Sequence, residues 1–130
     1  MILDTSFLID LMRTDSGAVR KLIELEKNEI AQEITAPTLY ELYVGITLCD
    51  KPEKEKRKVL DTLTSTNILN LDAKSAEKAG EVQGRSIKEG MMIAPEDAMT
   101  AGIALLNEEI ILTRNVEHFS HIKDLKIETY

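Results

Sequence analysis

The chain has one cysteine, Cys49, no tryptophan, three prolines and two histidines in 130 residues. A lone cysteine excludes an intrachain disulfide and any zinc site built on a cysteine cluster. His118 and His121 stand three apart, but no third nitrogen or sulfur ligand accompanies them, which argues against zinc there as well. Aromatic residues make up 4% of the chain, too few for a row of base-stacking rings. Basic side chains are also in deficit. With 16 Lys and Arg against 23 Asp and Glu, the formal net charge is −7, the reverse of the basic face that nucleic-acid binders usually present. No apolar run approaches the roughly 18 residues of a membrane span. The opening MILDTSFLIDLM carries Asp4 and Asp10 and lacks a basic leader, so no secretory signal is expected. What remains is 43% hydrophobic and 30% charged, enough for a core of its own. The expectation is one domain over residues 1–130, soluble and cytoplasmic, with no membrane partner.

Short apolar runs alternate with longer amphipathic ones. Met1–Leu3, Glu33–Ala36, Ile68–Leu71, Ile110–Thr113 and Leu125–Glu128 read as strands. Between them, helical spacing recurs in SFLIDLMR, at Val19, Leu22, Ile23 and Glu26, in TLYELYVGITL, and after KPEKEKRK at Val59, Leu60 and Leu63. Asp72 is a good N-cap for a helix with a small-residue stripe at Ala73, Ala76, Gly80, Gly84 and Ile87, ended by Gly90. Pro95 opens another helix, EDAMTAGIALL, and VEHF reads as one helical turn. This alternation predicts an α/β domain: three α/β/α layers around a mainly parallel sheet.

Ligands of such sheets bind beyond the carboxyl ends of the strands. Asp4 follows the first strand directly, and Asn115 comes two residues after the Ile110–Thr113 strand. Glu41 lies one turn into the helix after the second strand, and Asp97 opens the helix that Pro95 introduces. Three carboxylates gathered at one edge repel one another unless a cation compensates. An oxygen-only donor set points to Mg²⁺, or Mn²⁺, rather than zinc. Each residue also has a purely structural reading: Asp4 as an N-cap, Thr38-x-x-Glu41 as a capping box, Asp97 at a helix's positive end, Asn115 as a loop residue.

Four stretches carry a resemblance: MILDTSFLIDL, TLYELYVGI, LDAKSAEKAGEVQGRSIKEGMMIAPEDAMTAGIAL and LTRNVEHF. In this order and at these distances the chain resembles, nearly end to end, a PIN domain of the VapC toxin type. The resemblance implies a three-layer fold, a divalent-metal site of three or four acids, endoribonuclease activity on an RNA substrate, a small VapB-like antitoxin as partner, and a homodimer. Carried over residue by residue, the first three acids fall on Asp4, Glu41 and Asp97. Asp4 and Asp97 would hold Mg²⁺ and Glu41 would complete the shell or orient the attacking water. The fourth position falls on Asn115, one negative charge short, so a second metal is expected to bind weakly or only with substrate. Glu117 is the alternative source of that carboxylate.

Arg114 lies beside these residues and suits a bidentate grip on phosphate. Thr5, Ser6 and Thr113 are candidates to hydrogen-bond phosphate or metal-bound water, with capping and turn chemistry as the other reading. Lys51, Lys54, Lys56, Arg57 and Lys58 are interspersed with Glu53 and Glu55, the pattern of a solvated helix face. Tyr40 and Tyr43 read as packing residues. Met91, Met92 and Ile93 suit a partner surface or the core, and His118 is a minor candidate for general acid. Two other classes compete. A phospho-receiver-like signalling domain needs paired acids after the first strand and a late lysine, whereas Asp4 has no acidic neighbour and Arg114 replaces the lysine. A PIN-like binding module without catalysis is favoured by Asn115 and opposed by Asp4, Glu41 and Asp97.

Overall fold

The computed structural model describes residues 1–130. Five short strands form one sheet: β1 (Ile2–Leu3), β2 (Glu33–Thr35), β3 (Asn67–Leu69), β4 (Ile110–Leu112) and β5 (Lys126–Glu128). The helices are α1 (Thr5–Met12), α2 (Ser16–Lys27), α3 (Ala36–Leu48), α4 (Pro52–Thr62), α5 (Ala73–Lys88), α6 (Pro95–Asn107) and α7 (Val116–Phe119). Every strand pair is parallel, in the order β3-β2-β1-β4-β5. The expected α/β architecture is therefore present.

Neighbouring residues of a strand point to opposite faces, and here both faces are covered. Ile2 and Ile111 are register partners and join a core with Val82, Ala101, Ile103 and Phe119 beneath α5, α6 and α7. Leu3 and Leu112, the next pair, join Phe7, Leu8, Ile34, Leu42 and Val59 beneath α1 to α4. That two-sided burial is why the central strands read as unbroken apolar pairs rather than as alternation. Helix starts are set by side chains that accept otherwise unpaired N–H groups. Asp15 Oδ1 accepts from Gly17 and Ala18 at 2.8 and 3.0 Å. Asp72 and Ser75 satisfy each other's backbone N–H at the head of α5. Pro37, Pro52 and Pro95 occupy first turns, where a missing N–H is harmless.

Several local readings shift. The stripe at Ala73, Ala76, Gly80, Gly84 and Ile87 faces solvent, whereas Ser75, Ala79, Val82 and Ser86 face the core. Both faces carry small residues at helical spacing, so periodicity alone could not choose between them. Leu60 and Ile23 are exposed, and the inward positions belong to Val59 and to Ala18 and Leu25. β3, read as Ile68–Leu71, is Asn67–Leu69: Asn67 takes up the pairing with Glu33, and the strand ends at Leu69, which pairs with Thr35. Thr38 does not head a capping box. The cap of α3 is Thr35, whose hydroxyl accepts from the Thr38 N–H at 3.2 Å.

The strand order positions the site. Starting from β1, the chain adds β2 and β3 on one side, then β4 and β5 on the other. Connections therefore leave β1 and β4 toward opposite sides and open a crevice at their carboxyl ends, the usual ligand position in such sheets. Asp4 leaves β1 there and Thr113 leaves β4.

Candidate active site

Asp4 is 5% exposed and stands at the head of α1. Its Oδ2 accepts from the Ser6 hydroxyl and the Thr113 hydroxyl, both at 2.7 Å, and from the Ser6 N–H at 3.4 Å. The same two hydroxyls accept in turn. Ser6 Oγ takes the Arg114 N–H at 3.1 Å and Thr113 Oγ1 takes the Asn115 N–H at 2.9 Å. Ser6 and Thr113 thus tie the segment after β4 to the start of α1 through Asp4. Asp4 Oδ1 makes no hydrogen bond, yet no buried side-chain oxygen or nitrogen lacks a partner. Oδ1 is therefore the open face of a carboxylate whose other oxygen is fully held.

α3 and α6 bring two more acids to this edge. The head of α3 is tied to α6 by buried hydroxyls: Thr35, the cap of α3, meets Thr100 of α6 at 3.0 Å and Thr38 at 3.1 Å. Glu41, from α3, accepts from Thr5 Oγ1 at 2.5 Å. Asp97, from the first turn of α6, accepts from His118 Nδ1 at 2.9 Å. Burial pushes the Glu41 carboxyl above its ordinary range, and the charges of Asp4, Asp97 and Glu96 push it further, against the pull of the Thr5 hydrogen bond. Asp97 is raised by burial first. The His118 imidazole opposes this, and Asp4 and Glu96 add to it. Asp4, Glu41 and Asp97 thus lie within electrostatic reach of one another. Their carboxylates do not form a preformed cluster of three converging ligands.

Comparison with known proteins places the chain in a family. The PIN-domain family model matches residues 1–125. The chain belongs to the PIN-domain family. The tRNA(fMet)-specific endonuclease VapC of Shigella flexneri is 26% identical over 129 residues, covering 99% of this chain and 96% of its own. Ribonuclease VapC2 of Rickettsia felis is 23% identical over the same length, again with 99% and 96% coverage. VapBC2 from Rickettsia felis, solved bound to a promoter DNA fragment, superposes with a TM-score of 0.90 at 25% identity, covering 99% and 97% of the two chains. DNA-bound VapBC from Salmonella typhimurium gives 0.88 at 25% identity, with 98% and 96% coverage. In sequence and fold this PIN domain is similar to VapC ribonucleases and to the solved VapBC proteins.

Two candidate substrate contacts of the PIN domain have specific structural duties. The Ser6 hydroxyl is committed to Asp4 and the Arg114 N–H. Arg114 directs Nη1 onto both oxygens of Asp10, at 2.9 and 2.7 Å, while its side chain stays 57% exposed. Asp10 is buried and also accepts from the Tyr130 hydroxyl at 2.8 Å, and burial together with that carboxylate raises the Tyr130 phenol. Asn115 is exposed, with its backbone pinned to Thr113 and its amide uncommitted. Glu117 is exposed in the first turn of α7. The segment of Lys51 to Lys58 forms an almost wholly exposed stretch of α4 and its cap, as its interspersed charges suggested.

Asp10, Tyr130, the Thr35–Thr100 link and the His118–Asp97 pair were not singled out from the sequence. Asp10 carried a signal, being an acid within one turn of Phe7 and Leu8 on an inward helix face. A buried carboxylate there requires a cationic or hydrogen-bonding partner. The other pairs join residues far apart in the chain, and nothing in local spacing announces them.

The raised carboxyls carry a stability prediction. An acid whose folded pKa exceeds its unfolded value binds more protons when folded, so stability falls as pH rises through that interval. At neutral pH and in chelator, Glu41→Gln should therefore melt above the wild type. The gap should close as pH drops toward the ordinary carboxylate range, and saturating Mg²⁺ should reverse it. Thermal unfolding with and without chelator reads all three. A Glu41→Gln variant that melts below the wild type in chelator at neutral pH removes the claim that burial and the neighbouring acids raise the Glu41 carboxyl.

Proposed function

We propose that this PIN domain is a divalent-metal-dependent endoribonuclease that hydrolyses RNA phosphodiester bonds. We assign it as the toxin of a toxin–antitoxin pair, held in check by a VapB-like antitoxin and working as a homodimer. The observation that carries the reading is the open Oδ1 of Asp4. It is the unbonded, accessible oxygen of an otherwise buried carboxylate at the β1/β4 crevice, locked in orientation by Ser6 and Thr113, and the Asp4 charge raises the proton affinity of both Glu41 and Asp97.

The donors are carboxylates and hydroxyls without thiolate, the set that suits Mg²⁺ or Mn²⁺. Asp4 and Asp97 would hold it, and Glu41 would complete the shell through water. When bound, such an ion polarises the scissile phosphate and lowers the pKa of a coordinated water. The chain's own side chains position what reacts. Thr5 holds Glu41 by one oxygen and leaves the other to orient a water. His118 fixes the rotamer of Asp97. The Arg114 N–H groups not used on Asp10 are available to a phosphate oxygen, as is the free amide of Asn115. The Thr5 and Ser6 hydroxyls act through Glu41 and Asp4. An acidic protein approaches a polyanion this way because the cation inverts the sign of the site.

The deciding experiment sets cleavage of RNA in Mg²⁺ against cleavage in excess chelator. Loss of cleavage in chelator and recovery on adding Mg²⁺ or Mn²⁺ are expected, with a matching rise in thermal stability as the metal is titrated in. Undiminished cleavage in chelator overturns the metal assignment. No cleavage and no metal-induced stabilisation would instead favour a binding module.

A further inference from the structure

The chain's few aromatic rings are distributed unevenly. Phe7 and Phe119 are sealed in the two cores, and Tyr130 packs edge-on against Phe7 with ring centroids 4.8 Å apart. Only Tyr40 and Tyr43 present a ring to solvent. Tyr40 is 59% exposed and immediately precedes Glu41 on α3. It borders an open cavity of about 400 Å³ lined also by Ala36, Pro37, Leu71, Glu96 and Met99. The walls are Leu71 and the N-terminal halves of α3 and α6, the two helices that also carry Glu41 and Asp97. Glu96 is its one charged member. Its charge reaches both Glu41 and Asp97, so the cavity and the acidic site adjoin. Glu96 makes no hydrogen bond or ion pair of its own.

We infer that this cavity is a nucleobase subsite: Tyr40 stacks a base of the RNA next to the scissile phosphate, and Glu96 accepts hydrogen bonds from that base's exocyclic amino group. The inference rests on the ribonuclease reading above and adds a determinant of where the RNA is cut. Three features select this occupant. A largely apolar cavity bordered by a tyrosine ring offers stacking to any base, and unpaired bases of single-stranded loops are commonly held that way. A carboxylate on the rim accepts from the amino groups of guanine, adenine or cytosine, whereas uracil offers it only the ring N3–H. A second copy pressed onto the slot would have to bring a cation or donor to Glu96, which has no partner within this chain, or bury its charge at a cost. The cavity also opens beside the metal-binding edge, where a base flanking the reacting phosphate must lie.

The test uses the full chain with Mg²⁺ and a pool of RNA hairpins with randomised loops, sequencing the cut ends. The wild type is expected to enrich an amino-bearing base at one position fixed relative to the cut. Tyr40→Ala should flatten that preference and raise KM about ten-fold or more, from the loss of one stacked base, acting on KM more than on kcat. Tyr40→Phe keeps the ring and should keep the preference. Glu96→Gln should change which base is selected, because an amide both donates and accepts. A pool cut by the wild type without base preference, or cut identically by Tyr40→Ala, overturns the subsite and leaves the ribonuclease reading standing. A pool left uncut overturns both. If Tyr40→Ala keeps the preference and instead converts a dimer to a monomer in sedimentation, the cavity belongs to a second copy and the inference falls.

Discussion

Asp4→Asn is expected to abolish Mg²⁺-dependent RNA cleavage, by about 10³-fold or more, while melting within a few degrees of the wild type. The two halves of that result come from the two oxygens of one carboxylate. Oδ2 serves the fold by accepting two buried hydroxyls and an N–H at the head of α1. Asparagine supplies the same shape and one carbonyl oxygen, so Ser6 and Thr113 keep their acceptor and α1 keeps its cap. Oδ1 is the oxygen proposed for the chemistry. There asparagine presents an amide NH₂, which has no lone pair for a cation, and the charge that attracts the cation is gone. Metal-assisted stabilisation of a phosphoryl transition state is worth several kcal/mol, and about 4 kcal/mol is a factor of about 10³. Asp4→Ala is the instructive contrast. It removes both functions, leaves two buried hydroxyls without an acceptor and uncaps α1, costing about 2–4 kcal/mol of stability as well. Cleavage assays paired with thermal unfolding separate the two variants. Cleavage by Asp4→Asn at the wild-type rate would remove Asp4 from the metal site.

What could be read from the sequence follows the range of the interactions. The α/β alternation was legible because strand and helix periods are local, and because Ile2, Leu3, Ile111 and Leu112 must be apolar when both faces of a sheet are covered. Asp4, Glu41 and Asp97 stood out because each occupies the first turns after a strand or a proline, where chain ends converge in this topology. The face of α5 did not stand out. Ala73, Ala76, Gly80 and Gly84 are as small and as regularly spaced as Ser75, Ala79, Val82 and Ser86, and only the packing partner decides which set is buried. Arg114 shows a different limit. A guanidinium beside a phosphate-cleaving site suggests a phosphate contact, yet its anchor is Asp10, 104 residues earlier in the chain. The capping reading of Glu41 failed for a related reason. Thr35 and Thr38 both lie near the start of α3, and the tie from Thr35 to Thr100 on α6 accompanies the use of Thr35 as the cap.

Gly102→Ala should be among the most damaging single-methyl changes in the molecule. A Cβ at this position would lie 2.6 Å from the Ala79 backbone nitrogen, 2.8 Å from Ala79 Cα and 2.8 Å from the Ser75 carbonyl oxygen. All three are main-chain atoms of α5, so no side chain can swing aside, and relief requires the two helices to separate. Overpacking of a tight interior costs about 1–3 kcal/mol and sometimes more, and the rigidity of this contact places the change at the upper end. For a chain of this size about 3 kcal/mol corresponds to a fall in melting temperature of roughly 10 °C. Asp97 rides on the same helix, five residues before Gly102. A displacement of α6 therefore shifts a carboxylate of the site, and a misplacement of about 1 Å can cost about 10²-fold in rate. Gly80 and Gly84 supply the control. They lie on the exposed face of α5 with nothing within 4 Å of a built Cβ, so alanine there should stabilise by about 0.5–1 kcal/mol through helix propensity. Calorimetry of the three alanine variants decides the matter. If Gly102→Ala melts with Gly80→Ala and Gly84→Ala, the close approach of α5 and α6 does not set the position of Asp97.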